Sequence, residues 1–324
     1  MIEKLLDFIS RHESFTLTTH DPADADGIGA EMVLACILRA RGKQARIINA
    51  QAMPEQFRFM DPQAQIAQWN GEQHGALPEQ DALLVVDIAD ESTVGEIAKF
   101  SRWREVFAID HHELKPRAAV SGIFDPSSAS TCELAVELAQ AAGVTLDPAT
   151  AFAAYSGIVY DTGFFAYPKT EARTFRAALA LFEMGANPSK AFTALCQDAP
   201  ARVLHLQQRS LASMALHCGD RVATQVLREK DFEETGGLSK DTNGFVNFPL
   251  KSRDIVVSLL VKQTPGKLVN CSVRSKGAIN VAKIAQEFGG GGHINAAGYE
   301  TKLNVDQALS ESLAAIEKSL NGQQ

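Results

Sequence analysis

His20, Asp24 and Asp26 fall within seven residues in the stretch THDPADADGIGA (19–30), with Asp21 beside them. Crowded carboxylates repel one another unless protons or cations relieve them. Three further segments carry the same residue types. Asp87 closes LLVVD, Asp110, His111 and His112 close VFAIDHH, and Asp161 follows SGIVY. Taken singly, each has an ordinary explanation: an aspartate after a strand caps a helix or makes a turn, and a single histidine is a surface group. Jointly, aspartates mixed with histidines and without cysteine suit a hard-to-borderline divalent cation. A divalent cation there would supply positive charge locally for an anionic ligand, and imidazoles among the donors tilt its identity towards manganese, with magnesium as a substitute.

The elements around these residues must bring them together. FTLTT (15–19), ARIIN (45–49), ALLVVDI (82–88) and EVFAID (105–110) are compact apolar runs suited to buried parallel strands. Helical patterns follow the first strand in GIGAEMVLACILRARG and recur over 129–143 and 148–162. This βαβ alternation predicts a doubly wound α/β domain over 1–185, in which ligands gather at the carboxyl ends of strands. All four segments fall at such places. From Thr170 to about Cys218 the chain reads as wholly helical, and 186–219 is expected to act as a helical linker. Beyond it, RVATQVL, DIVVSLLVKQ and LVNCSVRS read as strands, followed by a Gly-rich turn and a helix near 305–319. A smaller α+β domain is therefore expected over 220–324.

Composition narrows the partners. Of 324 residues, 45% are hydrophobic and 22% charged, which is globular rather than disordered. MIEKLLDFISRHE reads as an amphipathic helix rather than a signal peptide, and no apolar run is long enough to span a membrane. Five scattered cysteines without a CxxC pair predict a reduced, cytoplasmic protein. Net charge is −8; residues 221–324 hold 13 Lys and Arg against 11 Asp and Glu, so the first 220 residues carry −10. A protein that grips long nucleic acid needs a strongly basic surface, and this chain has none by composition. A short phosphorylated ligand remains compatible, because a metal ion supplies positive charge locally.

In this order, HDPADADGIGA, VVDIAD, AIDHHE and SGIVYDTGFF resemble the four motifs of the DHH phosphoesterases, and CSVRSKGAINVAKIAQEFGGGGHINAAG resembles the accompanying DHHA1 domain. The resemblance covers roughly residues 15–300 and is nearest in layout to the bacterial nanoRNase and pAp-phosphatase group. Related exonucleases are usually longer, and family II pyrophosphatases share only the first domain. Carried over by residue, the resemblance implies two manganese ions, one held by His20 and Asp24 and the other by Asp26, His111 and Asp161, with Asp87 bridging them. It implies that Asp110 orients a histidine, that His112 faces the substrate phosphate or the leaving oxygen, and that the enzyme is a homodimer. Pro22 lies one place early for the usual first motif and Ala30 replaces a frequent serine; neither is a ligand position. Asp21 and Asp90 match no ligand position, and His12, His74, His205 and His217 are read as structural.

FGGGGH (288–293) lacks the Lys-Ser/Thr of a P-loop. Read alone it is a flexible turn, yet glycines also let backbone N–H groups approach an anion. The resemblance implies that Arg274, Ser275, Gly290, Gly291, Gly292 and His293 hold a substrate phosphate. Phe245, Phe248 and Phe288 are read as core or as base-stacking groups, and Lys251 and Arg253 as a solvated face. A metal centre on one domain and a phosphate cradle on another favour very short oligoribonucleotides over long strands.

Overall fold

The computed structural model describes residues 1–70, 81–88, 94, 97, 103–113 and 121–321. The chain divides into two units, Met1–Asp198 and Ala199–Gln324. The first is built on a parallel sheet of β1 (Ser14–Thr19), β2 (Gln44–Asn49), β3 (Ile66–Gln68), β4 (Ala82–Val86), β5 (Val106–Asp110) and β6 (Ser121–Phe124), in the order β3-β2-β1-β4-β5-β6. The expected doubly wound sheet is observed. Its order reverses between β1 and β4, and open α/β sheets bind ligands at that kind of switch point. The short edge strands β3 and β6 carry too few residues to show a period in the sequence.

Alternate residues of β4 enter different cores. Leu84 and Val86 join the larger cluster with Phe15 and Leu17, while Leu83 and Val85 pack with Ile48, Val94, Ile97 and Ala108 on the other face. Burial on both faces explains why these strands read as continuous apolar runs. The helices of this unit are α1 (Ile2–Ser10), α2 (Ala25–Ala40), α3 (Thr131–Ala141), α4 (Pro148–Asp161), α5 (Ala172–Glu183) and α6 (Pro188–Cys196). Helix α2 is almost wholly buried and lies closely against α4. That approach needs glycine: a Cβ on Gly29 would sit 2.6 Å from the Cys132 Sγ and 2.8 Å from the Ala153 carbonyl, and one on Gly157 would sit 2.4 Å from the same sulfur. The contact sets the start of α2 and the end of α4 side by side.

The second unit holds a mixed sheet in the order β11-β12-β10-β9-β8-β7, from β7 (Ala215–His217), β8 (Val222–Leu227), β9 (Val257–Gln263), β10 (Val269–Ser275), β11 (Gly291–His293) and β12 (Ala296–Thr301). Only β8 and β9 pair in parallel. Helices α7 (Ala201–Ala212), α8 (Glu229–Thr235), α9 (Val281–Glu287) and α10 (Val305–Asn321) complete it. Within the segment read as a linker, α6 packs on α4 of the first unit and α7 on α8 and β8 of the second. The wholly helical reading to Cys218 is corrected at its end, where β7 pairs with β8. Ser213 Oγ accepts from the Val226 N–H at 2.8 Å, and Cys218, Gly219 and Asp220 turn the chain with positive φ. Three residues are too few for a strand period to compete with a helical one. The Gly-rich turn is likewise a short strand, β11, hydrogen-bonded to the unforeseen β12.

Candidate metal centre

Every candidate ligand sits at the carboxyl edge of the first sheet or at a helix end facing it. His20 follows β1. Asp24 caps α2, its Oδ1 accepting from the N–H groups of Asp26 and Gly27 at 3.0 Å each. Asp26, in the first turn of α2, is fully buried. Its Oδ2 accepts from the Thr131 N–H at 2.6 Å and its Oδ1 from the Cys132 N–H at 2.8 Å. The N-terminus of α3 thus cradles the carboxylate, where N–H groups and helix dipole favour negative charge. Asp87 leaves β4 with φ of 61°, a left-handed conformation uncommon outside glycine, and such strain concentrates at functional sites. Asp161 closes α4, the helix end at which the dipole disfavours an acid.

Three overlapping groups of donors emerge: His20, Asp24 and Asp87; Asp26, His111 and Asp161; and Asp87, His111 and His112. His20 Nε2 lies 3.5 Å from Asp24 Oδ1 and 3.5 Å from Asp87 Oδ2. His111 Nε2 lies 3.4 Å from Asp161 Oδ2, 4.0 Å from Asp26 Oδ2 and 3.7 Å from Asp87 Oδ1. Asp87 therefore turns Oδ2 towards His20 and Oδ1 towards His111. Within each triad, His20–Asp24–Asp87 and Asp26–His111–Asp161, the donor atoms lie within 4.8 Å of one another, close enough to share one ion.

The electrostatics fit a cationic occupant. Burial, then the charges of Asp26 and Asp24, push Asp161 up to about 8. Burial raises Asp87 to about 6 and, with Asp87 and Asp24 nearby, lifts Asp26 well above the carboxylate range. Burial alone would lower His20, but Asp24 and Asp87 outweigh it and lift the imidazolium to about 10. The cluster thus holds protons that a divalent cation would replace. His111 is the opposite case, lowered to about 4 by burial and then by the charge of His112. Its Nδ1–H donates to the Ser128 carbonyl at 3.3 Å, which leaves the Nε2 lone pair facing the acids. Imidazole and carboxylate donors without thiolate match manganese or magnesium.

Asp110, fully buried, accepts at Oδ1 from His112 Nδ1 at 2.7 Å and from the His112 N–H at 3.0 Å. That hydrogen bond, against burial, raises His112 to about 9, and its side chain is 58% exposed. Asp21 stands outside the cluster, its Oδ2 accepting from Gln51 Nε2 at 3.1 Å. Asp90 and His74 lie outside the described residues.

Residues 14–158 match the DHH family, N-terminal domain, and residues 219–322 match the DHHA1 domain. The chain is 30% identical over 310 residues to the bifunctional oligoribonuclease and PAP phosphatase NrnA of Thermus thermophilus, covering 94% of this chain and 89% of that protein. The chain belongs to the DHH family. It is also 29% identical over 256 residues to the cyclic-di-AMP phosphodiesterase PdeA of Listeria monocytogenes, covering 76% of this chain and 37% of that longer protein. The crystal structure of an exopolyphosphatase-related protein from Bacteroides fragilis shares the fold, with a TM-score of 0.90 at 23% identity over 98% of this chain and 95% of that one.

In the DHHA1 unit, Arg274 of β10 stands opposite Ala296 of β12, which stands opposite His293 of β11, so Arg274 and His293 share one row of the sheet. Arg274 Nη1 donates to the Val273 and Ala297 carbonyls at 3.0 and 3.3 Å. Ser275 is engaged within its own loop: its Oγ donates to the Ile279 carbonyl at 2.6 Å and accepts from Asn295 Nδ2 at 2.9 Å. A Cβ on Gly290 would fall 2.3 Å from the Gly298 carbonyl, so that glycine serves the close approach of β12; around Gly291 there is open space. Gly292 has φ of 142° and, like His293, is exposed. Phe245 is core, Phe288 stacks on Tyr299 with ring centroids 4.5 Å apart, and Phe248 lies under Lys251 Nζ at 4.7 Å.

Sequence reasoning missed the residues that hold the candidate ligands. Thr131 Oγ1 donates to Asp87 Oδ1 at 2.8 Å. Behind β1, Glu31 Oε2 accepts from Asn49 Nδ2 at 3.0 Å, and Asn49 Oδ1 accepts from the Thr19 N–H at 3.1 Å, fixing the backbone that delivers His20. Ser130-x-x-Glu133 was a readable helix-start signal, since Ser130 Oγ accepts from the Glu133 N–H at 3.0 Å. Nothing local pairs Glu31 with Asn49.

Proposed function

We propose that this DHH-family phosphoester hydrolase acts on very short oligoribonucleotides, from dinucleotides such as pGpG and pApA to about pentamers. It releases nucleoside 5′-monophosphates and also removes the 3′-phosphate of pAp. The observation that carries this reading is Asp87, whose Oδ2 faces His20 in its own triad while its Oδ1 faces His111 of the other. The triads would hold two manganese ions, with magnesium as a substitute, and such ions supply charge neutralisation of the phosphate and activation of water.

The chain's own groups supply the rest. His111, neutral and tied to Ser128, keeps its Nε2 available as a ligand. His112, raised by Asp110 and exposed at the edge of the cluster, is placed to donate a proton from Nε2 to the leaving oxygen. Thr131 and the α3 N-terminus fix Asp87 and Asp26, which keeps the two donor groups in register. In the DHHA1 unit, Arg274, Ser275, Gly290, Gly291, Gly292 and His293 are proposed to bind the terminal phosphate, with Ser275 contributing through the loop it braces. The net charge of −8 supports short substrates over long nucleic acid. We take the enzyme to be a cytoplasmic homodimer, a reading supported by its scattered free cysteines and by the family resemblance.

Purified protein incubated with manganese and pApA, pGpG, pAp, a cyclic dinucleotide, polyphosphate and a long RNA tests the proposal. Release of mononucleotide from dinucleotides, with little from long RNA, is expected; no release from any dinucleotide overturns it. D87A should lose both hydrolysis and bound metal. The identity to the cyclic-di-AMP phosphodiesterase supports a second reading, cleavage of cyclic dinucleotides, which the same panel separates.

A further inference from the structure

The turn at 125–130, between β6 and α3, and the first residues of α3 meet three candidate ligands at once. The Ser128 carbonyl accepts from His111 Nδ1, Thr131 Oγ1 donates to Asp87, and the Thr131 and Cys132 N–H groups donate to Asp26. These contacts hold only while residues 128–132 keep one arrangement. The group that fixes them comes from α5.

Arg173 lies in the first turn of α5, where the helix dipole disfavours a cation, and its side chain is only 19% exposed. Its Nε and Nη2 donate as a fork to Glu137 of α3 at 3.0 and 2.6 Å. Its Nη1 donates to Asp125 Oδ2 at 2.8 Å and to Ser127 Oγ at 3.2 Å. Nε also lies 2.8 Å from Oε1 of the fully buried Glu133, and the same oxygen accepts from Ser128 Oγ at 3.0 Å. Asp125 shapes the turn in its own right. Its Oδ1 accepts from the Ser127 N–H at 3.1 Å, its carbonyl accepts from the Ser128 N–H at 2.9 Å, and its N–H donates to the Asp110 carbonyl at 3.1 Å. One guanidinium thus ties both ends of the segment, Asp125 before it and Glu133 and Glu137 after it. Without a cation among them, three carboxylates so close repel one another. The planar fork sets their direction as well as their charge, which the point charge of a lysine does not.

We propose that Arg173 is a positioning residue of the metal centre. It holds segment 125–133 in the arrangement that aims Ser128 at His111, Thr131 at Asp87 and the α3 N-terminus at Asp26. Its own hydrogen bonds go to that segment and to Glu137, so it acts on the ligands through the turn. The inference rests on reading His111, Asp87 and Asp26 as ligands.

R173K keeps the charge and removes the fork, and circular dichroism checks that it folds. Manganese binding to the full chain, read from the electron paramagnetic resonance of the free ion, is expected to weaken about tenfold in R173K. T131V removes one of the contacts through which Arg173 acts. The loss in R173K/T131V should therefore fall short of the product of the two single losses by at least about threefold. In the metal-free protein, hydrogen exchange at the Thr131 and Cys132 amides should speed up about tenfold in R173K, while the amides of β1 and β4 keep their rates. An arginine that served stability alone would lower the melting temperature and leave these readouts in place. If R173K does not fold, D125N decides by the same readouts, since it removes the charged arm to Arg173 and keeps an amide oxygen for the Ser127 N–H. A folded variant that binds manganese as tightly as wild type, losses that simply multiply in R173K/T131V, or unchanged exchange at Thr131 and Cys132 overturns the proposal. A wild type that takes up no manganese overturns the ligand reading first, and this inference with it; equal uptake by wild type and R173K overturns this inference alone.

Discussion

Replacing Asp110 by asparagine tests how His112, the proposed proton donor, is tuned. The amide can still accept from His112 Nδ1 and from the His112 N–H, so the geometry of 2.7 and 3.0 Å survives while the charge disappears. His112 stands at about 9 against an ordinary 6.5, with the Asp110 hydrogen bond as the main cause and Asp87 and Asp161 as lesser ones. Taken whole, that shift of about 2.5 units would be worth ~3.4 kcal/mol. The side chain is 58% exposed, so solvent screening leaves roughly half, or about one pH unit from Asp110 itself. Cations on Asp87 and Asp161 would cancel the lesser contributions and leave Asp110 as the dominant support. The alkaline limb of kcat/KM for a dinucleotide should therefore move down by about one unit in D110N. The loss should be about threefold near pH 8.5, approach about tenfold only above pH 9.5, and be negligible near pH 6.5. The sign for stability follows the same pair. A histidine whose folded pKa is raised stabilises the fold fully below about 6.5 and loses that contribution as pH rises through about 9. D110N should thus be least stable relative to wild type in acid and converge with it above pH 9. Rate profiles from pH 6 to 9.5 and an NMR titration of His112 in the metal-free protein make the measurement. An unchanged limb together with an unchanged His112 midpoint would refute the reasoning.

Three further outcomes follow from the network around the site. T131V removes the 2.8 Å hydrogen bond to Asp87 and should lower manganese affinity ~10–100-fold, whereas T131S keeps it; titration calorimetry of both decides. Manganese binding should release at least about two protons per protein near pH 7, because His20 at about 10 and Asp161 at about 8 hold protons in the metal-free protein and Asp26 is also raised. Affinity must then rise with pH from 6 to 8, and proton-independent binding in buffers of different ionisation enthalpy would count against the ligand set. Glu31, raised to about 8 by burial, keeps a proton that the unfolded chain has lost, so wild-type stability falls as pH climbs from about 4.5 to about 8. E31Q should remove that slope and gain on the order of a few kcal/mol at pH 8, or ~5–10 °C in a metal-free melt. Parallel pH profiles for the two proteins would contradict the burial argument.

By itself the sequence determined the chemistry and the class of fold. Residue type and position at element ends were enough to mark His20, Asp24, Asp26, Asp87, Asp110, His111, His112 and Asp161 as one candidate cation site, because parallel strands all present their carboxyl ends at one edge, while the division into ligands was implied by the family resemblance. Apolar runs buried on both faces announced β1, β2, β4 and β5 for the same reason. Only the tertiary structure decided which oxygen of Asp87 faces which histidine, and that the α3 N-terminus holds Asp26 from 105 positions along the chain. The Glu31–Asn49–Thr19 chain, the Thr131 contact and the β7–β8 and β11–β12 pairings were likewise invisible. Periodicity reports which way a side chain faces within its own element; which distant donor it meets is set by how the helices and strands pack, and here by the glycines that let α2 and α4 touch.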